Sequence, residues 1–381
     1  MAQDYNSLKS SIIQVDDGTV TTAKIAAGSI TSSKLYVPYS VINVGTTAQQ
    51  PTTPVPGDIR LNTDTFYTET YYNSAWHNLN FLGTLTTVHG VVGSFGGNVT
   101  QTGSKNRIHT FTTSGTFTIK GYPAGAIFRL LVVGGGGGGG NNTYAHNNGG
   151  GGGGGFLYTT LVVQSSESAT YTVIVGSGGA ITAPGENSSV VGPSTNLVAI
   201  GGGRGGGSAG AATTGGSGGG ARGNGQQGNA FPIGMGTPGQ GNAGGGGSAW
   251  GSGYGGGGGG GAGGVGATNT TSSQGTTDAT GGHGGPGLPN PIATSTVGQL
   301  VTGIYYLSGG GGASGVQRYG LTFYGRGGVG GGGRAGLAGE VNTGGGAGGQ
   351  TTYRGSPDGV WTEGSVIYGP GGSGAVIIQL F

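Results

Sequence analysis

The larger, C-terminal part of the chain alternates apolar segments of strand length with runs of glycine. Ile127-Phe128-Arg129-Leu130-Leu131-Val132-Val133 passes without a turn into seven glycines, Gly134 to Gly140. Apolar segments recur at Tyr171 to Val175, Leu197 to Ile200 and Leu300 to Leu307, and the sequence closes on Gly374-Ala375-Val376-Ile377-Ile378-Gln379-Leu380-Phe381. Runs of this length between glycine clusters predict strands. The closing strand would be an aggregation hazard if left unpaired, so it is expected to lie beside Ile127 to Val133. Upstream, Arg107 to Phe111 and Gly115 to Ile119 predict two strands joined by Thr113-Ser114-Gly115. Residues 1–14 carry Leu8, Ile12 and Ile13 among polar neighbours, which suits a short helix or an extended anchor.

Composition changes how the glycine runs are read. Glycine contributes 102 of 381 residues, against a usual share of roughly 7%. Ordering glycine costs more backbone entropy than ordering any other residue, so a flexible linker is the first expectation. The interleaved strands oppose it. Charge opposes it too, because only 7% of residues are Asp, Glu, Lys or Arg and no lysine follows Lys120. Solvated disorder is normally more charged. The alternative is a packed state in which glycine segments adopt polyproline-II geometry, three residues per turn with no internal hydrogen bonds. Every amide then points outward, and neighbouring segments can bond backbone to backbone.

A shorter pattern marks the N-terminal region. Asp17-Gly18-Thr19-Val20-Thr21-Thr22-Ala23-Lys24-Ile25 is echoed ten residues later by Ala27-Gly28-Ser29-Ile30-Thr31-Ser32-Ser33-Lys34-Leu35. Each unit is too small to bury its apolar positions alone. Three chains wound about an axis would place Val20, Ile25, Ile30 and Leu35 inside and Lys24 and Lys34 outside. Next, Gly57 supplies a turn, Ile59 and Leu61 alternate with polar neighbours, Asn62 to Thr65 turn again, and Tyr71, Trp76 and Leu79 offer aromatic and apolar packing. Pro51, Pro54 and Pro56 mark the boundary before this module, and residues 81–105 read as a linker with short strands.

These residues carry a resemblance. The Asp17 to Leu35 repeat is similar to segments near the start of tailed-phage fibre proteins, particularly those of phages infecting cyanobacteria. Pro56-Gly57-Asp58-Ile59-Arg60-Leu61-Asn62-Thr63-Asp64-Thr65, with Tyr71 to Leu79, resembles a hairpin module of phage structural proteins, departing from it at Phe66-Tyr67-Thr68-Glu69. Residues 107–381 resemble the glycine-rich domain at the tips of phage tail fibres. The resemblance implies a mainly β and irregular fold in three parts. Residues 1–45 form an N-terminal attachment and fibre-repeat segment, residues 46–105 a β-hairpin spacer, and residues 106–381 a glycine-rich distal domain of strands flanking polyglycine-II helices. It also implies a homotrimer on the virion tail, docked to other tail or baseplate proteins.

The chemistry expected of such a chain is adhesion. Net charge is +2 and cysteine is absent, so neither a nucleic-acid partner nor thiol chemistry is expected. No apolar run approaches the roughly 20 residues that span a bilayer, and the N-terminus lacks the basic stretch and apolar core of a signal peptide. The acids beyond residue 133 are scattered singly, and the five histidines, His77, His89, His109, His146 and His283, lack metal-ligand spacing. Neither catalysis nor a cofactor or metal is expected. Aromatic and basic side chains instead concentrate in insertions between glycine runs, a composition suited to recognition. Candidate receptor-binding residues are Tyr144, His146, Trp250, Tyr254, Tyr319, Phe323, Tyr324, Tyr353 and Trp361. A cell-surface glycan or an outer-membrane protein is the expected ligand. The competing readings are a virion fibre of the head, collar or baseplate that only spaces or stabilises, and a polysaccharide-degrading tailspike. For any single aromatic, sealing the glycine lattice is the competing role.

Overall fold

The computed structural model describes residues 43–55, 58–64, 68–72, 74–78, 93–102, 106–142, 147–164, 168–193, 195–223, 231–248, 255–271, 279–315, 324–352 and 366–380. Val20, Ile25, Ile30 and Leu35 lie outside them. Two compact units divide at Gly90 and Val91.

In the first unit, β1 (Asn43–Gly45), β2 (Ile59–Asn62), β3 (Thr68–Tyr72) and β4 (Ala75–Asn78) form one sheet in that order. β1 runs parallel to β2, and the other pairs are antiparallel. The alternation in β2 is inverted: Arg60 is 1% exposed, whereas Ile59 is 45% exposed. Arg60 can be buried because its charge is answered. Its Nη2 donates to Gly45 O and Thr46 O at 2.5 and 2.7 Å, its Nε lies 3.6 Å from Glu69 Oε2, and its guanidinium lies 5.6 Å from the centre of the Trp76 ring. Asn62 completes the network by donating to Glu69 Oε1 at 2.8 Å. A buried ion pair of this kind adds little net stability, but removing one partner is costly because it leaves the other charge buried and uncompensated.

The second unit begins with β5 (Gly93–Phe95), β6 (Asn98–Thr102), β7 (Asn106–Phe111), β8 (Gly115–Lys120) and β9 (Ile127–Val133). It continues with β10 (Phe156–Val162), β11 (Ala169–Ile174), β12 (Ser188–Gly192) and β13 (Thr195–Ala199). Short pairs follow: β14 (Thr270–Thr271) with β15 (Ala279–Thr280), and, after the sheet of β16 (Leu288–Pro289), β17 (Gln299–Val301) and β18 (Ile304–Leu307), β19 (Thr351–Thr352) with β20 (Val366–Ile367). The last strand is β21 (Ala375–Leu380).

Two five-stranded sheets, ordered β10-β9-β21-β7-β6 and β13-β12-β11-β8-β5, contribute to one apolar core. As the apolar pattern predicts, β21 pairs with β9, Ile377 opposite Leu131. β7 and β8 do not form a hairpin. Phe111 and Phe117 both enter the shared core, which requires their strands to lie in facing sheets, so residues 112–114 arch from one sheet to the other. β5 and β6, within the stretch read as a linker, pair with β8 and β7 respectively. Period-two alternation assigns Phe128, Leu130 and Val132 to the sandwich core, and Leu131 and Val133 to a second cluster with Ile292 and Leu307. Each fully buried side chain of this size contributes about 1.5–3 kcal/mol, a source of stability that glycine lacks.

From the sandwich the chain runs into the glycine segments, which bond with a period of three. Gly134, Gly137 and Gly140 donate to Gly155, Gly152 and Gly149; Gly135 and Gly138 donate to Glu186 and Ala183; Gly136 donates to Gly372. Three faces, each repeating every third residue and each meeting a different neighbour, are the signature of a polyproline-II-type helix with no internal bonds. Run 149–155 sits at the centre. Its amides donate to segments 200–206, 257–260 and 344–347, and its carbonyls accept from segments 134–140, 217–220 and 308–311, making six neighbours. All belong to the same chain.

Candidate functional site

The lattice has two unlike ends. At the sheet end, Gly134 follows β9, Gly155 precedes β10, Ile200 follows β13 and Gly374 precedes β21. Returns at this end run through strands, as at β16 to β18, or are tight, as at Gly261, whose amide donates to Gly264 O at 2.9 Å. The bonding register carries the runs from there to a far end, reached by Gly140, Gly149 and Gly206. At the far end the described chain stops and resumes six times, across residues 143–146, 224–230, 249–254, 272–278, 316–323 and 353–365.

Hydrogen bonds hold the flanks of these segments together. Gly223 N donates to Asn147 O, and Asn147 Nδ2 donates to Gly223 O, both at 2.9 Å. Ser248 N donates to Gly255 O at 3.0 Å, and Gly256 N donates to Ser314 O at 2.9 Å. Thr271 pairs with Ala279, and Thr352 with Val366. Asn142 N donates to Gln350 Oε1 at 3.0 Å, Asn148 Nδ2 donates to Gln350 O at 3.0 Å, and Asn148 N donates to Ser314 Oγ at 2.8 Å. Asn142 Nδ2 also donates to Asn147 Oδ1. A glycine lattice has no side chains with which to satisfy its last amides and carbonyls. Buried Asn and Gln amides, each with both donor and acceptor atoms, do so where the runs part.

Of the nine candidate residues, Tyr324 is described; it is half-buried, where the chain re-enters the lattice at Gly325. Tyr144, His146, Trp250, Tyr254, Tyr319, Phe323, Tyr353 and Trp361 lie outside the described residues, within segments whose flanks converge on the far end. Sequence reasoning missed the roles of Asn142, Asn147, Asn148 and Gln350, because asparagine beside glycine reads as a turn former. It also missed Arg222, whose guanidinium lies 5.7 Å from the centre of the Phe231 ring.

One pair elsewhere has the spacing of a nucleophile and its base. Ser94 Oγ and His109 Nε2 are 2.7 Å apart, with His109 Nδ1 2.7 Å from Gly96 O. Both side chains are sealed, at 1% and 0% exposure, and Tyr122 OH donates to the same hydroxyl at 3.4 Å. A substrate has no route to this serine, so the pair acts as a latch between β5 and β7. Among the described residues, no three or more His, Cys, Asp or Glu are grouped so that they could hold a metal ion.

The matched family model is the glycine-rich domain, over residues 112–381. The chain belongs to the glycine-rich domain family. Comparison with curated proteins finds no match. The family match begins just after β7, so the strands β5, β6 and β7, which complete the two sheets of the sandwich, precede it. In this chain the glycine-rich domain is therefore a strand-built base carrying a glycine lattice.

Proposed function

We propose that the chain is a tail-fibre protein of a tailed phage whose glycine-rich domain is a non-catalytic adhesin for a cell-surface glycan or outer-membrane component. The observation that carries this reading is the gathering of all six insertion flanks at the end of the lattice opposite the two five-stranded sheets. A rigid base with varied aromatic segments at one end is the arrangement of a recognition surface, because the scaffold bears the cost of ordering and the segments are free to differ. Several fibres on one particle would add weak contacts into firm attachment.

A homotrimer belongs to the same reading. Support comes from the first unit, whose small sheet buries Arg60 and Asn62 while leaving Val44 65% exposed and Ile59 45% exposed. So small a sheet does not hold itself together without apolar cover, which identical chains would supply. Residues 1–45 would then attach the fibre to tail or baseplate proteins.

The test is adsorption of the full-length protein to a panel of cyanobacterial strains, with its mass measured by light scattering. Saturable binding by a trimer is expected, and joint replacement of Tyr144, Trp250, Tyr254 and Tyr324 by alanine is expected to abolish it. Binding that survives the fourfold replacement would remove the aromatic segments from the mechanism. A folded multimer that adsorbs to no strain would make the chain a structural fibre, and release of oligosaccharides from host polysaccharide would make it a tailspike.

A further inference from the structure

We infer that the far end of the lattice takes an anionic sugar, one bearing sulfate, phosphate or carboxylate, through the guanidinium of Arg222 stacked on Phe231, with Arg204 on the neighbouring run. The inference rests on the adhesin reading above and names the chemical class of its ligand. Arg222 lies in the last turn before the 224–230 segment, and Phe231 is the first described residue after it. Its Nε is buried, and no acceptor among the described residues reaches it. A buried donor left without a partner is costly, and native structures rarely keep one without a use. A guanidinium held against an aromatic ring keeps its planar fork of N–H donors, which can meet a carboxylate, sulfate or phosphate with two parallel bonds.

Arg204 adds to the same field. The runs that carry it and Arg222 are bonded to each other through Gly206 N and Gly220 O at 2.9 Å. Its Nη1 donates to Ala209 O at 3.1 Å, in the far-end turn that Gly207 and Gly210 close. The described carboxylates of the lattice are elsewhere. Glu186 O accepts from Gly135, and Glu340 N donates to Gly331 O, both at the sheet end, and the Glu186 carboxylate accepts from Ser177 Oγ at 2.8 Å. Among the described residues, no carboxylate forms an ion pair with Arg204 or Arg222. Among the described residues, these two carboxylates lie toward the sheet end, and Arg204 and Arg222 lie toward the far end.

Full-length protein is titrated with dextran sulfate and, in parallel, with neutral dextran. Dextran sulfate is expected to bind saturably and more weakly as salt rises, while neutral dextran is not expected to bind. Arg222→Gln is expected to weaken dextran sulfate binding roughly ten-fold or more, with Arg222→Lys intermediate because the charge survives and the fork does not. Arg334→Gln removes the same charge from an exposed position and is expected to change binding little. If Arg222→Gln lowers the melting temperature, Arg204→Gln carries the test in its place. Unchanged affinity in both variants, equal binding of neutral dextran, or an equal loss in Arg334→Gln would overturn the site. Adsorption to cells is measured on the same samples. Loss of both activities in Arg222→Gln supports the inference, whereas a site that binds dextran sulfate in a wild-type protein that adsorbs to no cells leaves the anion site standing and defeats the adhesin reading.

Discussion

A glycine in the lattice is defined by what stands where its side chain would be. A Cβ on Gly151 would overlap the carbonyl oxygen of Gly137, and the neighbouring atoms are backbone, which cannot rotate away. Gly246 differs. The nearest atom to its would-be Cβ is the Thr268 methyl at 3.5 Å, an ordinary contact. Gly151→Ala is therefore expected to destabilise the domain by about 3 kcal/mol or more, at the upper end of overpacking costs. Gly246→Ala is expected to be neutral or to stabilise by roughly 0.4–1 kcal/mol, because alanine reduces the freedom of the unfolded chain. Denaturant titration of the two variants beside the wild type checks both, and equal effects would mean that glycine content, not close approach, is what the lattice requires. The two positions look alike in sequence. All-glycine runs carry no side-chain period, so which residue faces which neighbour follows from a backbone repeat of three that composition leaves unstated.

At the scale of elements, a histidine latches β7 to β5 and to the Gly96 crossing that follows it. The ring of His109 joins Ser94 Oγ to Gly96 O and packs edge-on against Phe117 at 5.0 Å between ring centres. Burial lowers its pKa below the ordinary 6.5; the bond to Gly96 O works in the opposite direction, and the Arg107 charge lowers it further. Across the sheet it faces Val99 of β6 and Ile378 of β21, neither of which is charged. The neutral ring is the folded form, so the unfolded chain binds the proton more readily. Its contribution is complete above about pH 6.5 and falls as pH drops toward the lowered folded value. Melting temperature is expected to fall between pH 7 and 5 in the wild type by more than in His109→Gln, and parallel curves would remove the histidine from the effect. The neighbouring strands show what the sequence made legible. β21 beside β9 follows from apolar residues that water could not cover. The arch at residues 112–114 does not, because Thr-Thr-Ser suits a hairpin equally well and the inward turn of both Phe111 and Phe117 decides it. Arg60 is harder still, since only the joint presence of Gly45 O, Thr46 O, Glu69 and Trp76 makes a buried arginine affordable.

For the whole molecule, the insertions between glycine runs are legible in the sequence, but the meeting of all six pairs of described flanks at one end of the lattice is not. Topology sets the sheet end: the runs return there through strands, as at β16 to β18, or through tight turns such as Gly261 to Gly264. Assembly poses the complementary question, because the first unit turns apolar residues outward. Val44 and Leu61 are paired across β1 and β2, and Ile59 alternates onto the same face, opposite the one that buries Arg60 and Asn62. If this face is where chains meet, Ile59→Lys places three like charges in a contact that excludes water, a cost that removes the reason to associate. Light scattering is expected to give three times the 36.6 kDa chain for the wild type and a single chain for Ile59→Lys. The main melting transition should not move, because the apolar cores of the sandwich and the bonds of the lattice are internal to residues 91–381. A trimer that survives Ile59→Lys would assign association to another surface and leave this face to a different occupant. A shared loss of mass and melting temperature would show that the strands and the lattice depend on assembly for their stability.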